Sequence, residues 1–242
     1  MRNYWLCLIV LLLNQGLCYG QENAIRFNVT PMGFPPFVFS SPPSGIMYDV
    51  LIHVAQQQGL SVIAHRVAED RVAVLLDNQK LDAHASAIEW MPTPQKYAFT
   101  DPILQVRDVV FSRKDAGFDY SSPTDLFGRS IGVRTGYSYQ SLTEHFASGA
   151  IHRTDSNSEL YLLQLLARGR LGIAIITEHV GLWLIRENNL KPVYSISKKA
   201  IDTTDYRIVM TKKWQPFINA FNKELALIKS NGKLKELLSK YR

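Results

Sequence analysis

Residues 49–88 read DVLIHVAQQQGLSVIAHRVAEDRVAVLLDNQKLDAHASAI. Apolar side chains at Val50, Leu51, Val54 and Ala55 share one helical face between Asp49 and Gln58, and Gly59 stops the run. Leu60–His65 has strand composition, Asp70–Asn78 returns to helical spacing, and Ala83–Ile88 is apolar almost throughout. A strand with no polar alternation is one buried on both faces. With an alternating strand at Ile25–Val29 in front, the order strand, helix, strand, helix, strand predicts a parallel sheet covered by helices.

The rhythm returns downstream. Ser130–Arg134 reads as a strand, Ser138–Phe146 and Glu159–Ala167 as helices, Ile173–Thr177 as a strand, Glu178–Asn188 as a helix and Pro192–Ser197 as a strand. Two α/β units follow, near residues 21–110 and 111–200. Extended runs at Gln105–Arg113 and Asp205–Thr211 are expected to cross between them. A chain that crosses twice returns its C-terminal part to the first unit. That assigns residues 21–108 plus 206–242 to one lobe and 109–205 to the other, with a hinged cleft between them. The tail from Trp214 is helical, with Phe217, Phe221, Leu225 and Ile228 on one stripe and a break at Asn231-Gly232.

The chain has 242 residues, of which 46% are hydrophobic and 20% charged, the composition of a globular protein. Its first twenty residues differ. Arg2, an apolar stretch from Tyr4 to Leu13, and small residues at Gly16, Cys18 and Gly20 describe a cleaved secretory signal. Leu17 before Cys18 makes a poor lipobox, so a lipid anchor is the weaker reading. Both cysteines, Cys7 and Cys18, fall in this segment. A mature chain without them has no disulfide, thiolate metal site or cysteine nucleophile. The net charge of +6 is dispersed. Nucleic-acid binding wants a basic patch with interleaved aromatics, and none stands out. There is no His-Glu-x-x-His run, nucleophile elbow or glycine-rich phosphate loop either, so no metal or cofactor is expected. The six histidines are scattered, with His84 on the third strand the one to watch.

Several segments together resemble the bacterial family 3 extracellular solute-binding proteins. Phe34-Pro35-Pro36-Phe37-Val38-Phe39 resembles that family's loop after the first strand, and Gly45-Ile46-Met47-Tyr48-Asp49-Val50 its glycine-aromatic-aspartate helix start. Leu81-Asp82-Ala83, Thr93-Pro94 and Phe99-Thr100-Asp101-Pro102 follow in order. Asp125-Leu126-Phe127-Gly128-Arg129-Ser130-Ile131-Gly132-Val133 resembles the opening of its second lobe, and Gly136-Tyr137-Ser138 the next loop. Gly169-Arg170 and the Asn231–Tyr241 end complete the set. No single piece is specific; the ordered set is. The resemblance implies a two-lobed, type II periplasmic-binding-protein-like α/β fold. It also implies a monomer in the periplasm that captures a small amino-acid-like molecule for an ABC permease.

On that resemblance the cleft is expected to be lined by Phe34, Phe37, Ala87, Glu89, Trp90, Lys96, Tyr137, Ser138, Thr177 and Glu178. Phe34 would be an aromatic wall, or simply core. Ser138, at a helix start, would offer a hydroxyl and an amide to an anion, or serve as a plain cap. Asp49 reads as a structural cap. Glu89 and Trp90 follow the third strand, where a parallel sheet opens to its ligand crevice. They can instead be a surface acid and a ring packed under a loop.

The pattern breaks at both ligand clamps. The arginine that follows the threonine-proline pair in amino-acid receptors is missing from Thr93-Pro94-Gln95-Lys96. Lys96 either supplies charge from nearby or is a surface residue, and a lysine does not reproduce a guanidinium fork. Thr177 stands where those receptors carry an ammonium-binding aspartate, with Glu178 one step beyond. Two other functions fit the same fold: a sensor or accessory protein acting through a protein partner, and a dehydratase-type enzyme using Glu89 as a general acid.

Overall fold

The computed structural model describes residues 24–241. The expected leader, with Cys7 and Cys18, lies outside them. Strand β1 (Ala24–Val29) runs parallel to β4 (Ser61–Arg66) and β5 (Ala83–Ser86), with helices α1 (Ile46–Gln57) and α2 (Glu69–Asp77) as the crossovers. Between β1 and α1 lies a two-stranded hairpin of β2 (Phe39–Ser40) and β3 (Pro43–Ser44). Farther along, β8 (Ser130–Arg134) is parallel to β9 (His152–Ser156) and β10 (Ile173–Thr177). Their helices are the short α3 (Thr143–Ala147), α4 (Glu159–Ala167) and α5 (Glu178–Glu187).

Two long antiparallel strands join the parallel halves. They are β7 (Leu104–Arg113) and β11 (Tyr194–Thr211), paired from Leu104–Tyr206 to Arg113–Tyr194 with irregular register around Ala200. β11 also pairs with β5, and with β6 (Tyr97–Phe99), while β7 pairs with β10. The strand order is therefore β4-β1-β5-β11-β7-β10-β8-β9. The run expected as two strands, Pro192–Ser197 and Asp205–Thr211, is one strand of 18 residues. Its central residues, β-branched in Ile201, Thr203 and Thr204, keep the pleat between the two ends.

Helix α6 (Gln215–Ser230) buries Phe217, Ile218, Phe221, Leu225 and Ile228 against the first half. Gly232, left-handed at φ 83°, turns the chain into α7 (Lys233–Ser239). The final turn is tied down by Tyr241. Its hydroxyl accepts from the Gly45 amide at 2.9 Å and donates to Asp49 at 2.8 Å. Asp49 is thus not the cap expected of it: α1 begins three residues earlier, after Gly45, and Asp49 holds the C-terminus instead. Gly45 itself sits at φ 114°, where a Cβ would stand 2.5 Å from the Phe37 carbonyl. Only glycine fits there.

Asp82 fixes the other end of this half. It is fully buried and accepts from Arg26 Nε at 2.7 Å, Trp214 Nε1 at 3.0 Å and Lys213 Nζ at 2.8 Å. One carboxylate so joins β1, β5 and the start of the C-terminal helices.

Candidate functional site

Tyr206 of β11 is the centre of an aromatic group. Its ring lies 5.2 Å from Phe37, 5.5 Å from Trp90 and 6.5 Å from Phe34, centroid to centroid. The Phe34 and Phe37 rings pack in a tilted pair, 5.0 Å between centroids. The loop that presents them is closed by Gly33, left-handed at φ 66°, and by paired bonds between Phe34 and Val38. Phe37 is buried; Phe34 is partly open and Trp90 is 48% exposed. Such edge and tilted contacts suit ring quadrupoles. Across the group, the His179 ring of α5 lies 5.6 Å from Phe37, and Trp183 lies 5.5 Å from Phe39. Residues from both halves of the sheet therefore meet here.

Tyr137, in the loop after β8 and packed against the second core, is close enough to Tyr206 to act on it electrostatically. Burial, and then Glu159, Asp108 and Glu69, push its hydroxyl far above the usual phenol range, against the pull of Arg134. Burial does the same to Tyr206, helped by Glu69 and Tyr137. Both are neutral hydrogen-bonding phenols at any physiological pH.

The polar side of the site is built from strand ends. Thr177, the last residue of β10, donates its hydroxyl to Asp108 of β7 at 2.7 Å. Asp108 also faces Asp202 across the β7–β11 ladder. Burial, and then the Asp202 charge, outweigh the Thr177 bond and push the Asp108 carboxyl up to about 6. Asp202 accepts from the Ser141 amide at 3.3 Å on one oxygen, and its other oxygen is buried without a hydrogen-bond partner. Arg134 stands 3.6 Å from Glu159, and Arg107 is bound to Glu178 at 2.7 Å. His84 lies 2.9 Å from Glu69 through Nε2 and 3.3 Å from the Asn28 amide through Nδ1. Because Asn28 Oδ1 already accepts from Val67, its amide nitrogen faces the ring. His84 thus accepts at Nδ1 and donates to Glu69 from Nε2.

The structure brings Phe34, Phe37 and Trp90 together around Tyr206, while Tyr137 acts electrostatically on Tyr206 and is acted on by Asp108, the partner of Thr177. Ala87 is buried beneath them at the turn after β5. Glu178 is adjacent to Thr177 but held by Arg107. Glu89 is exposed and has no partner among the described residues. Lys96 is apart: it pairs with Asp77 at 2.7 Å and lines a separate shallow cavity of about 400 Å³ with Tyr97 and Lys213. Ser138 does not begin a helix. Regular structure starts only with the 3-10 turn Gln140–Leu142 and α3, so Ser138 is an exposed loop residue with no helix terminus behind it. Tyr139, the last extended residue, and Leu142 of the 3-10 turn both point inward and fill the second core, so α3 proper starts only at Thr143.

Asp108, Asp202 and Tyr206 were absent from the expected set. The signal for Asp108 was legible: a lone acid inside Val106–Phe111, an otherwise apolar crossing strand apart from Arg107.

The profile of the bacterial extracellular solute-binding proteins, family 3, matches residues 28–242. The chain belongs to this family. No curated protein matches it in sequence. Among solved structures, the family-3 chain resembles an ancestral cationic amino acid solute-binding protein, with TM-score 0.74 and 18% identity over 91% of this chain and 96% of that one. It also resembles an ABC uptake transporter substrate-binding protein from Streptococcus pneumoniae with bound histidine, at TM-score 0.70 and 16% identity, covering 92% and 94%. A histidine kinase sensor domain similar to periplasmic binding proteins gives 0.69 and 20%, covering 90% and 95%. At these identities the likeness speaks to the fold alone. That fold is the type II periplasmic binding protein architecture, two lobes on paired crossing strands.

Proposed function

We propose that this family-3 protein is a periplasmic receptor that captures a small polar, amino-acid-like molecule for an ABC permease. The observation that carries the reading is the aromatic group of Phe34, Phe37 and Trp90 around Tyr206, linked electrostatically through Tyr137 to the Thr177–Asp108 pair of the other half. Flat apolar walls with a few converging polar groups are what a small-molecule site needs. The lobes we assign are residues 21–108 plus 206–242, and 109–205. Their relative rotation about β7 and β11 would admit and then enclose the ligand. Phe34, Phe37, Trp90, Tyr137 and Thr177 would contact it. The histidine bound in the S. pneumoniae structure, and the cationic amino acid named for the ancestral protein, support an amino-acid-like size.

Thermal unfolding of the purified protein against amino acids, amines, small carboxylates and aromatic metabolites tests this. A ligand at about 100 times its Kd adds roughly 2.7 kcal/mol, a midpoint rise of several degrees. One compound class should produce that rise unchanged in chemistry, and Phe34→Ala should reduce it. A flat response across the panel would reject the receptor and point to a protein partner, as for a sensor domain.

A further inference from the structure

The cleft distributes its charges unevenly. On the reading that it binds a small polar molecule, we infer that its ligand is an amine cation with no carboxylate beside the amino group.

Asp108 and Asp202 face each other across the β7–β11 ladder, and neither has a cationic partner among the described residues. Asp108 is met only by the Thr177 hydroxyl. One oxygen of Asp202 is buried with no hydrogen bond at all. A buried acceptor without a donor is rare and costly, and a carboxylate more so. A bound ammonium, with three N–H donors and a positive charge, supplies what both acids lack.

The bases nearest the site are largely engaged, although Arg207 Nε is itself buried without a hydrogen-bond partner. His84 is bonded to Glu69, Arg107 to Glu178 and to the Lys198 carbonyl, and Arg207 to Asp205 and the Thr100 carbonyl. Arg134 is ion-paired with Glu159, whose side chain is only 17% exposed. Turning Arg134 onto a ligand carboxylate would leave Glu159 part-buried and unpaired beside Asp108 and Glu69, the acids that already act on Tyr137. A ligand carboxylate would thus enter a field of like charge. An ammonium would instead be drawn to Asp108 and Asp202, which no described cation holds.

Calorimetric titration of the purified protein with matched pairs tests this: agmatine with arginine, cadaverine with lysine, putrescine with ornithine, histamine with histidine. At least one amine should bind tenfold or more tightly than its parent amino acid. Asp108→Asn should weaken that amine at least tenfold, while Glu187→Gln, on the far surface, leaves it unchanged. Asp202→Asn serves as the second variant if Asp108→Asn does not fold. Parent amino acids that bind as tightly as their amines would overturn the inference and leave the receptor function intact. Binding confined to neutral or anionic compounds would do the same. If no compound of any class binds, the receptor function falls and the inference with it.

Discussion

Thr177 and Asp108 are register partners across the β10–β7 pair, and the Thr177 hydroxyl donates to Oδ1 of Asp108 at 2.7 Å. The carboxylate missing from the end of β10 is therefore present one strand over. It reaches the site from β7, which crosses between the two halves, so it answers to their relative position.

That placement has a measurable consequence for stability. The Asp108 carboxyl is raised to about 6, above its unfolded value, so the native state holds its proton more tightly. The stability this gives is present below pH 4 and is lost as pH rises through about 6. Asp108→Asn is expected to raise the unfolding midpoint at pH 8 and to change it little at pH 4.5. The gain is less than about 3 kcal/mol, because Asp108 is partly open to solvent. Thermal melts at the two pH values decide it; equal effects at both would show that the carboxyl is not perturbed. A variant that is more stable yet binds less is the trade-off expected where an acid is kept for its ligand.

Asp82 behaves in the opposite way. Burial alone would raise its carboxyl, but the bonds from Arg26, Lys213 and Trp214 outweigh it and hold it well below the usual range. Its contribution is present above the unfolded value and lost as pH falls through the acid range. Asp82→Asn should cost on the order of 3–5 kcal/mol at pH 7, since it leaves Arg26 and Lys213 around a neutral buried group. Urea unfolding at pH 7 measures this, and a loss below about 1 kcal/mol would mean the bases find solvent instead.

Tyr241 ties the turn after α7 to the start of α1. Removing its hydroxyl in Tyr241→Phe leaves the Gly45 amide and Asp49 without their shared partner. The expected loss is about 1–2 kcal/mol. Hydrogen exchange should show it locally, as faster exchange at Gly45 and in α7 with β8–β10 unchanged.

Gly45→Ala tests the aromatic loop. A Cβ at φ 114° would meet the Phe37 carbonyl at 2.5 Å, so the loop must shift or the variant unfold. We expect a loss of roughly 2 kcal/mol or more, from strain added to displaced packing. Ligand affinity should fall along with stability, because the same backbone positions Phe34 and Phe37. Unchanged affinity would separate the loop from the site.

The local pattern of this chain is legible residue by residue. Helical spacing at Val50, Leu51, Val54 and Ala55, and the apolar runs of β5 and β10, depend only on which side chains must leave water, so sequence alone yields two parallel α/β units. The glycine-rich and proline-rich landmarks likewise carry the family, since each marks a backbone that few residues can adopt. The strand β9, whose five residues HRTDS are polar, has no such pattern; it is held by its pairing with β8 and by Arg153, which bonds the Tyr137 carbonyl and lies over Phe146. The aromatic part of the site, Phe34, Phe37 and Trp90, was visible because rings beside prolines or strand ends stand out. Its charge was not. Whether Asp108 meets a cation, or Lys96 reaches the cleft, depends on which strands lie side by side. Register between β7, β10 and β11 is set by long-range packing, and it put Thr177 against Asp108 and Asp202 opposite it; the packing of the turn before β6 beside the end of α2 put Lys96 on Asp77.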